Sequence, residues 1–174
     1  MKQQCVIFDM DGVICHTNPD HAKAFEAFFD KYQISHSQQE FEDHMYGKHN
    51  GYIMSHFFNR PITGEELKKL EDEKESMFRE IYKDKVETIP HYLPFLEELK
   101  SRGFKTAVAT SAPRANLDLI INALKIEDKM DSMMASQDVQ NHKPDPEVYL
   151  KSAERVGVSP SDCVVFEDSF SGVT

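Results

Sequence analysis

Two aspartates one residue apart, Asp9 and Asp11, close the apolar run Cys5-Val6-Ile7-Phe8 and are followed by Gly12 and Val13. A short unbroken apolar run of this kind reads as a strand buried on both faces. Residues i and i+2 of a strand point the same way, so both carboxylates are expected at the C-terminal edge of a sheet, where open α/β sheets bind ligands. Like charges that close repel, and one pKa rises unless a cation sits between them. Two chemistries suit the pair. One is a Mg²⁺ site. The other is a carboxylate pair with divided roles, one attacking and one carrying protons.

Other polar groups stand at the ends of later apolar runs. Lys105 to Thr110 reads as a strand ending at Thr110, with Ser111 next. Cys163-Val-Val-Phe166 reads as another buried strand, ending in Glu167, Asp168 and Ser169. Between them, Asn141-His-Lys-Pro-Asp-Pro-Glu147 places Lys143 in a loop just before a helix. In a parallel sheet these strand ends share one edge. Acids, a hydroxyl and a lysine around one point suit phosphoryl transfer: carboxylates hold Mg²⁺, metal and lysine neutralise phosphate oxygens, and the hydroxyl donates a hydrogen bond.

The elements that would position them alternate. Leu93, Phe95, Leu96 and Leu99 suggest a helix stopped by Gly103. Leu117, Ile120, Ile121 and Leu124 suggest another, 133–135 a short strand, and 146–156 a helix stopped by Gly157. Ser159-Pro160 looks like an N-cap opening a single turn. Strands alternating with helices imply βαβ units and a parallel sheet. Residues 15–88 read differently, as a helical block. Ala22, Phe25, Phe28 and Phe29 lie at helical spacing, Ser37 to Glu40 and Thr63 to Glu66 fit capping boxes, and 65–82 reads as a charged amphipathic helix. The fold expected is α/β, a Rossmann-like parallel core built from 1–14 and 89–174, with an α-helical cap, 15–88, inserted after the first strand.

Composition narrows the function. The chain has 174 residues and a formal net charge of -10, which argues against a nucleic-acid partner and an anionic membrane surface. Its three cysteines, Cys5, Cys15 and Cys163, form no CxxC pair and read as reduced thiols of a cytoplasmic protein. No apolar run suits a signal peptide or a membrane span.

With these residues in view, the sequence resembles the haloacid dehalogenase superfamily, and within it the β-phosphoglucomutase-like branch of phosphatases and mutases. Asp9-Met-Asp11-Gly12-Val13 matches the first motif, Thr110 the second, Lys143 in Lys-Pro-Asp-Pro the third, and Glu167-Asp168-Ser169 with Gly172 the fourth. The resemblance implies Asp9 as the nucleophile that forms an aspartyl-phosphate. It implies Asp11 as the general acid that protonates the leaving oxygen, then as the base for water. Mg²⁺ would be held by Asp9, the backbone carbonyl of Asp11 and Asp168, with Glu167 supporting it or ligating through water. Thr110, with Ser111 beside it, and Lys143 would bind the transferring phosphoryl group, and Lys143 would screen Asp9. Dehalogenases of the superfamily lack the second aspartate, so Asp11 sets this chain apart from them.

The helical block resembles the cap that closes over the site and chooses the substrate. Thr17, His21 and Lys74 match polar positions facing the cleft in that branch, and Gly47-Lys48-His49-Asn50 falls on the specificity loop. Two departures weigh against a mutase. The arginine that grips the non-transferring phosphate aligns with Asn50, although Lys48 could substitute, and the usual cap-facing aspartate aligns with His16. The expected function is therefore a Mg²⁺-dependent phosphatase acting on a small phosphorylated metabolite, a sugar phosphate. The alternatives are a phosphosugar mutase and, in another class, a phospho-acceptor module or an inactive chain that binds Mg²⁺. Family members continue beyond the fourth motif with a helix, a strand and a closing helix. A chain ending at Thr174 is expected to leave one edge and one face of the sheet uncovered, and to be less stable or to associate, the full-length form being a monomer.

Overall fold

A computed structural model of the chain describes residues 4–45 and 48–173. These divide into two compact units, one formed by Asn18–Tyr82 and the other by the described residues on either side of it. Residues 15–17 and 83–88 thus group with the flanking unit.

The flanking unit is built on β1 (Cys5–Phe8), β2 (Lys105–Ala109), β3 (Ser132–Met134) and β4 (Cys163–Phe166). They form one parallel sheet in the order β3-β2-β1-β4. The chain moves outward from β1 to β2 and β3, then returns to the other side of β1 as β4. This reversal makes the gap between β1 and β4 a topological switch point, where ligands bind in such sheets. Register matters as much as order. Phe8 pairs with both Val108 and Phe166, so β1 and β4 end level and β2 runs one residue further, to Ala109. Asp9 and Glu167 then leave the sheet level with each other, and Thr110 follows one residue further on beside Asp9.

Helices α5 (Tyr92–Ser101), α6 (Arg114–Leu124) and α7 (Glu147–Val156) and a four-residue α8 (Phe170–Val173) complete this unit. On one face Cys5, Ile7, Ala107, Ala109 and Met134 pack with Val148, Ala153 and Val158. On the other, Phe8 meets Tyr92 edge-on at 5.2 Å and stacks on Phe166 at 5.5 Å. Burying apolar surface at about 25 cal/mol per Å² makes these two layers the main support of the sheet edge.

One strand departs from expectation. β4, read as buried, exposes Val164, Val165 and Phe166 by 56, 39 and 41%. The reason is pairing: among the described residues β4 bonds to β1 alone, so its other side is an open edge.

The secondary structure of the second unit, among the described residues, is four helices, α1 (Asn18–Lys31), α2 (Gln38–Met45), α3 (Asn50–Phe57) and α4 (Gly64–Tyr82). Its core is aromatic, with Phe25, Phe28, Phe29, Phe41 and Phe57 buried around Met54 and Leu70. Ser37 caps α2 by accepting the Glu40 N–H at 3.1 Å. The return half of that capping box is missing, because the Glu40 carboxylate faces His56 Nε2 at 3.1 Å instead. Part of the expected specificity loop is helical: His49 is the N-cap of α3, its ring accepting the Tyr52 N–H, and Asn50 opens the helix. Gly47 lies outside the described residues.

Candidate active site

The site is assembled at the ends of β1, β2 and β4. Asp9 follows β1, is buried, and donates its N–H to the Phe166 carbonyl at 2.9 Å, extending the ladder one residue beyond the strand. Lys143, in the loop before α7, reaches it from 134 residues away: Nζ donates to Asp9 Oδ1 at 2.7 Å, to Glu167 Oε2 at 2.7 Å and to the Ala109 carbonyl at 3.3 Å. One oxygen of each of Asp9, Glu167 and Asp168 lies within 4.8 Å of the others.

Asp11 goes its own way. The strand ends at Phe8, so the i, i+2 parity expected for Asp9 and Asp11 does not carry through, and Gly12 turns the chain at φ +80°. The Asp11 carboxylate accepts the Thr17 hydroxyl at 2.5 Å and lies outside the three-carboxylate group. Thr17, expected to face a cleft with the cap residues, belongs to the sheet unit and orients Asp11.

Thr110 is fully buried behind β2. Its backbone N–H continues the pairing with β3, donating to the Met134 carbonyl at 3.0 Å, and its Oγ1 accepts the Ala112 N–H at 3.0 Å. A hydroxyl that accepts in this way still has a proton to donate. Ser111, beside it, is exposed. Two glycines shape the acidic group. A Cβ on Gly12 would fall 1.8 Å from Asp168 Oδ2, and one on Gly172 would fall 2.0 Å from Glu167 Cδ.

The electrostatics follow from this crowding. Burial raises the Asp9 carboxyl to about 7; Lys143 opposes the rise, and the charges of Asp11 and Glu167 add to it. Burial works against the Lys143 ammonium, but Asp9 and the hydrogen bonds of both carboxylates hold its pKa above the usual lysine value. For Glu167 burial is outweighed by hydrogen bonds from Lys143, Ser169 and Tyr149, and its pKa is lowered. Asp168 is raised by burial and by the charges of Glu167 and Asp11. A hard divalent cation fits this donor set. The ligand atoms are all oxygens, the cradle admits no side chain at residue 12, and positive charge there would reverse the rise at Asp9.

In the helical unit, three of the four other expected substrate residues meet around a residue that sequence reasoning missed, Glu75. Lys74 Nζ donates to Glu75 Oε1 at 2.8 Å and lies 3.0 Å from His21 Nδ1, while Asn50 Nδ2 donates to the same Glu75 oxygen at 3.3 Å. Lys74 is 2% exposed and also sits over the Phe25 ring at 4.4 Å. The His21 ring stacks on Phe78 at 3.8 Å. Lys48 stands apart, exposed beside the Tyr52 ring. Tyr149 was missed in the sheet unit; its hydroxyl donates to Glu167 Oε2. The available signal was its place on the first turn of the helix that follows the Lys143 loop.

Residues 6–174 match the family of haloacid dehalogenase-like hydrolases, and the chain belongs to that family. It is 34% identical to a phosphorylated carbohydrates phosphatase of Thermotoga maritima, over 98% of this chain and 78% of that protein. It is 30% identical to a haloacid dehalogenase-like hydrolase domain-containing protein of Arabidopsis thaliana, over 98% of this chain and 64% of that protein, so the chain spans less than two thirds of this relative. Among solved structures it is similar to a β-phosphoglucomutase of Clostridium difficile, with a TM-score of 0.81 and 26% identity, covering 98% of this chain and 78% of that one. Its relatives and structural neighbours thus include both phosphatases and a β-phosphoglucomutase.

Proposed function

We propose that this chain is a Mg²⁺-dependent phosphatase that hydrolyses a small phosphorylated metabolite, a sugar phosphate, through an aspartyl-phosphate on Asp9. The observation that carries the reading is the buried contact of Lys143 with Asp9, set beside a three-carboxylate group at the switch point of the sheet. Asp9 Oδ attacks phosphorus while the bond to the leaving oxygen breaks, and Asp11, oriented by Thr17, gives that oxygen its proton. Water then attacks the phosphoryl group, Asp11 takes a proton from it, and Asp9 and inorganic phosphate are released. Lys143 and the hydroxyls of Thr110 and Ser111 bind the phosphoryl oxygens. Asp9, Asp168, the backbone carbonyl of Asp11 and, in support, Glu167 would hold Mg²⁺, which when bound supplies positive charge against the phosphate.

His21, Asn50 and Lys74, with Lys48, are the cap residues we assign to substrate choice. Their pairing supports a hydrolase over a mutase. Asn50, at the position of the mutase arginine, donates to Glu75, and the Lys74 ammonium is already partnered by the same carboxylate. A mutase must hold a bisphosphate by both ends. The substrate class is supported by the carbohydrate phosphatase among the relatives. A cytoplasmic setting is supported by three free cysteines, and no described helix is long and apolar enough to cross a membrane.

Release of inorganic phosphate from sugar phosphates, nucleotides and an aryl phosphate, with Mg²⁺ and with chelator, tests the reading. Activity is expected to require Mg²⁺ and to vanish in Asp9→Asn. Activity that survives in Asp9→Asn would overturn it. Turnover that appears only with a bisphosphate primer would favour the mutase.

A further inference from the structure

Glu167 is engaged on both oxygens. Oε1 accepts the Ser169 N–H at 3.1 Å and the Ser169 hydroxyl at 2.5 Å. Oε2 accepts Lys143 Nζ and the Tyr149 hydroxyl together. Lys143 is shared evenly, 2.7 Å from Asp9 Oδ1 and 2.7 Å from Glu167 Oε2. Its ammonium lies 4.9 Å from the centre of the Tyr149 ring, within cation–π range. Two carboxylates therefore compete for one ammonium. A carboxylate oxygen that accepts a second donor is a weaker acceptor for the first, and Tyr149 supplies that second donor on the one oxygen where the competition is decided.

We propose that Tyr149 is a positioning residue: its hydroxyl on Glu167 and its ring against Lys143 keep the lysine ammonium on Asp9, where phosphoryl transfer takes place. Without the hydroxyl, Glu167 Oε2 draws Lys143 away from Asp9. Lys143 then meets the phosphoryl group out of place, and the loss falls on the transition state, where charge on the transferring oxygens is most sensitive to alignment. The proposal rests on the phosphatase reading for its kinetic consequence, but not for its structural one.

Tyr149→Phe removes the hydroxyl and keeps the ring, and Tyr149→Leu removes both. Ser152→Ala is the control: it alters a buried residue of the same helix whose hydroxyl donates to the Val148 carbonyl. Expected for Tyr149→Phe is a fall in kcat of about tenfold with KM changed by less than about twofold, and for Tyr149→Leu a larger fall. A crystal structure of Tyr149→Phe should show Lys143 Nζ beyond hydrogen-bond reach of Asp9 Oδ1, more than about 3.5 Å, with the α7 backbone unmoved. Lys143 still bridging both carboxylates in that structure would overturn the proposal. So would an equal fall in kcat for Ser152→Ala, because the effect would then be one of helix stability. If the unaltered chain releases no phosphate from any donor, the phosphatase reading fails, and the position of Lys143 in Tyr149→Phe still decides the role of Tyr149.

Discussion

The carboxylate of Asp168 occupies the space in which a side chain on Gly12 would begin: a Cβ there would lie 1.8 Å from Asp168 Oδ2. Motifs that are 156 residues apart in the chain are thus fitted to each other at the level of one missing methyl group. Gly12→Ala must displace Asp168 and also hold an alanine at φ +80°, a conformation costing about 1–2 kcal/mol for a residue with a Cβ. The variant is expected to fold with reduced stability and, with Asp168 a Mg²⁺ ligand as proposed, to need at least about tenfold more Mg²⁺ for half-maximal activity. Metal titration followed by phosphate release, with thermal unfolding in parallel, checks both halves.

Thr17 tests the division of labour between the aspartates. Thr17→Val keeps the shape and removes the donor to Asp11 Oδ1. Misorienting a general acid matters only where the leaving group needs its proton. The expected result is a fall in kcat of about tenfold with a sugar phosphate and little change with an aryl phosphate, whose leaving group departs unprotonated. Equal losses with both substrates would mean that Thr17 acts on the fold and not on Asp11.

Asp131 gives a pH-dependent contribution to stability far from the chemistry. Burial raises its pKa, but hydrogen bonds from Lys100, Lys105 and the Thr106 N–H outweigh it and bring the carboxyl to about 2. A pKa below the unfolded value of 3.8 means stability that is fully present above pH 3.8 and is lost as pH falls towards 2. Asp131→Asn should lower stability by roughly 1–2 kcal/mol at pH 7, with the difference shrinking below pH 4. Urea midpoints measured from pH 7 down to the onset of acid unfolding would reveal this. A difference that grows on acidification would contradict it.

The buried group around Glu75 makes the opposite kind of demand. Glu75→Leu leaves the Lys74 ammonium almost wholly buried beside His21 without its carboxylate. Removing one partner of a buried pair costs about 3–5 kcal/mol. The double variant Lys74→Met with Glu75→Leu removes both charges and is expected to recover most of that loss, as a double-mutant cycle in urea would show. Substrate selection should change in both variants if these residues choose the substrate.

Much of this arrangement is written in local sequence. The run Cys5 to Phe8 and the run Cys163 to Phe166 are strands with the limits their apolar residues indicate, and Asp9, Glu167 and Asp168 meet as their positions at strand ends imply, joined by Lys143 from the loop before α7. β2 ends at Ala109, one residue before Thr110, whose N–H still pairs with the Met134 carbonyl while its hydroxyl accepts from Ala112. What local pattern could not supply is pairing between distant residues. Glu75 reads as one more acid on a charged helix until Lys74, Asn50 and His21 close around it. Tyr149 reads as a core aromatic until Glu167 arrives from a strand eighteen residues on. The helix α3 was missed for a different reason. It is short and carries Gly51 in its first turn, so its apolar residues Ile53, Met54 and Phe57 were too few to outweigh the loop-like residues before them.

The central place of β1 in the sheet has a consequence for how the molecule comes into being on the ribosome. Asp9 is made well before the elements that flank it: the strand that leads into it finds its first partner only when β2 is made, about a hundred residues later, and its second only with β4. The helical unit between is contiguous in the chain and held by local contacts, the kind that form fastest. The helical unit is therefore complete in the chain before β1 has any strand partner. Lys143 and Glu167 close on Asp9 last. A chain stalled short of β4 would carry Asp9 and Lys143 but neither Glu167 nor Asp168, two of the three carboxylates that meet at this edge of the sheet.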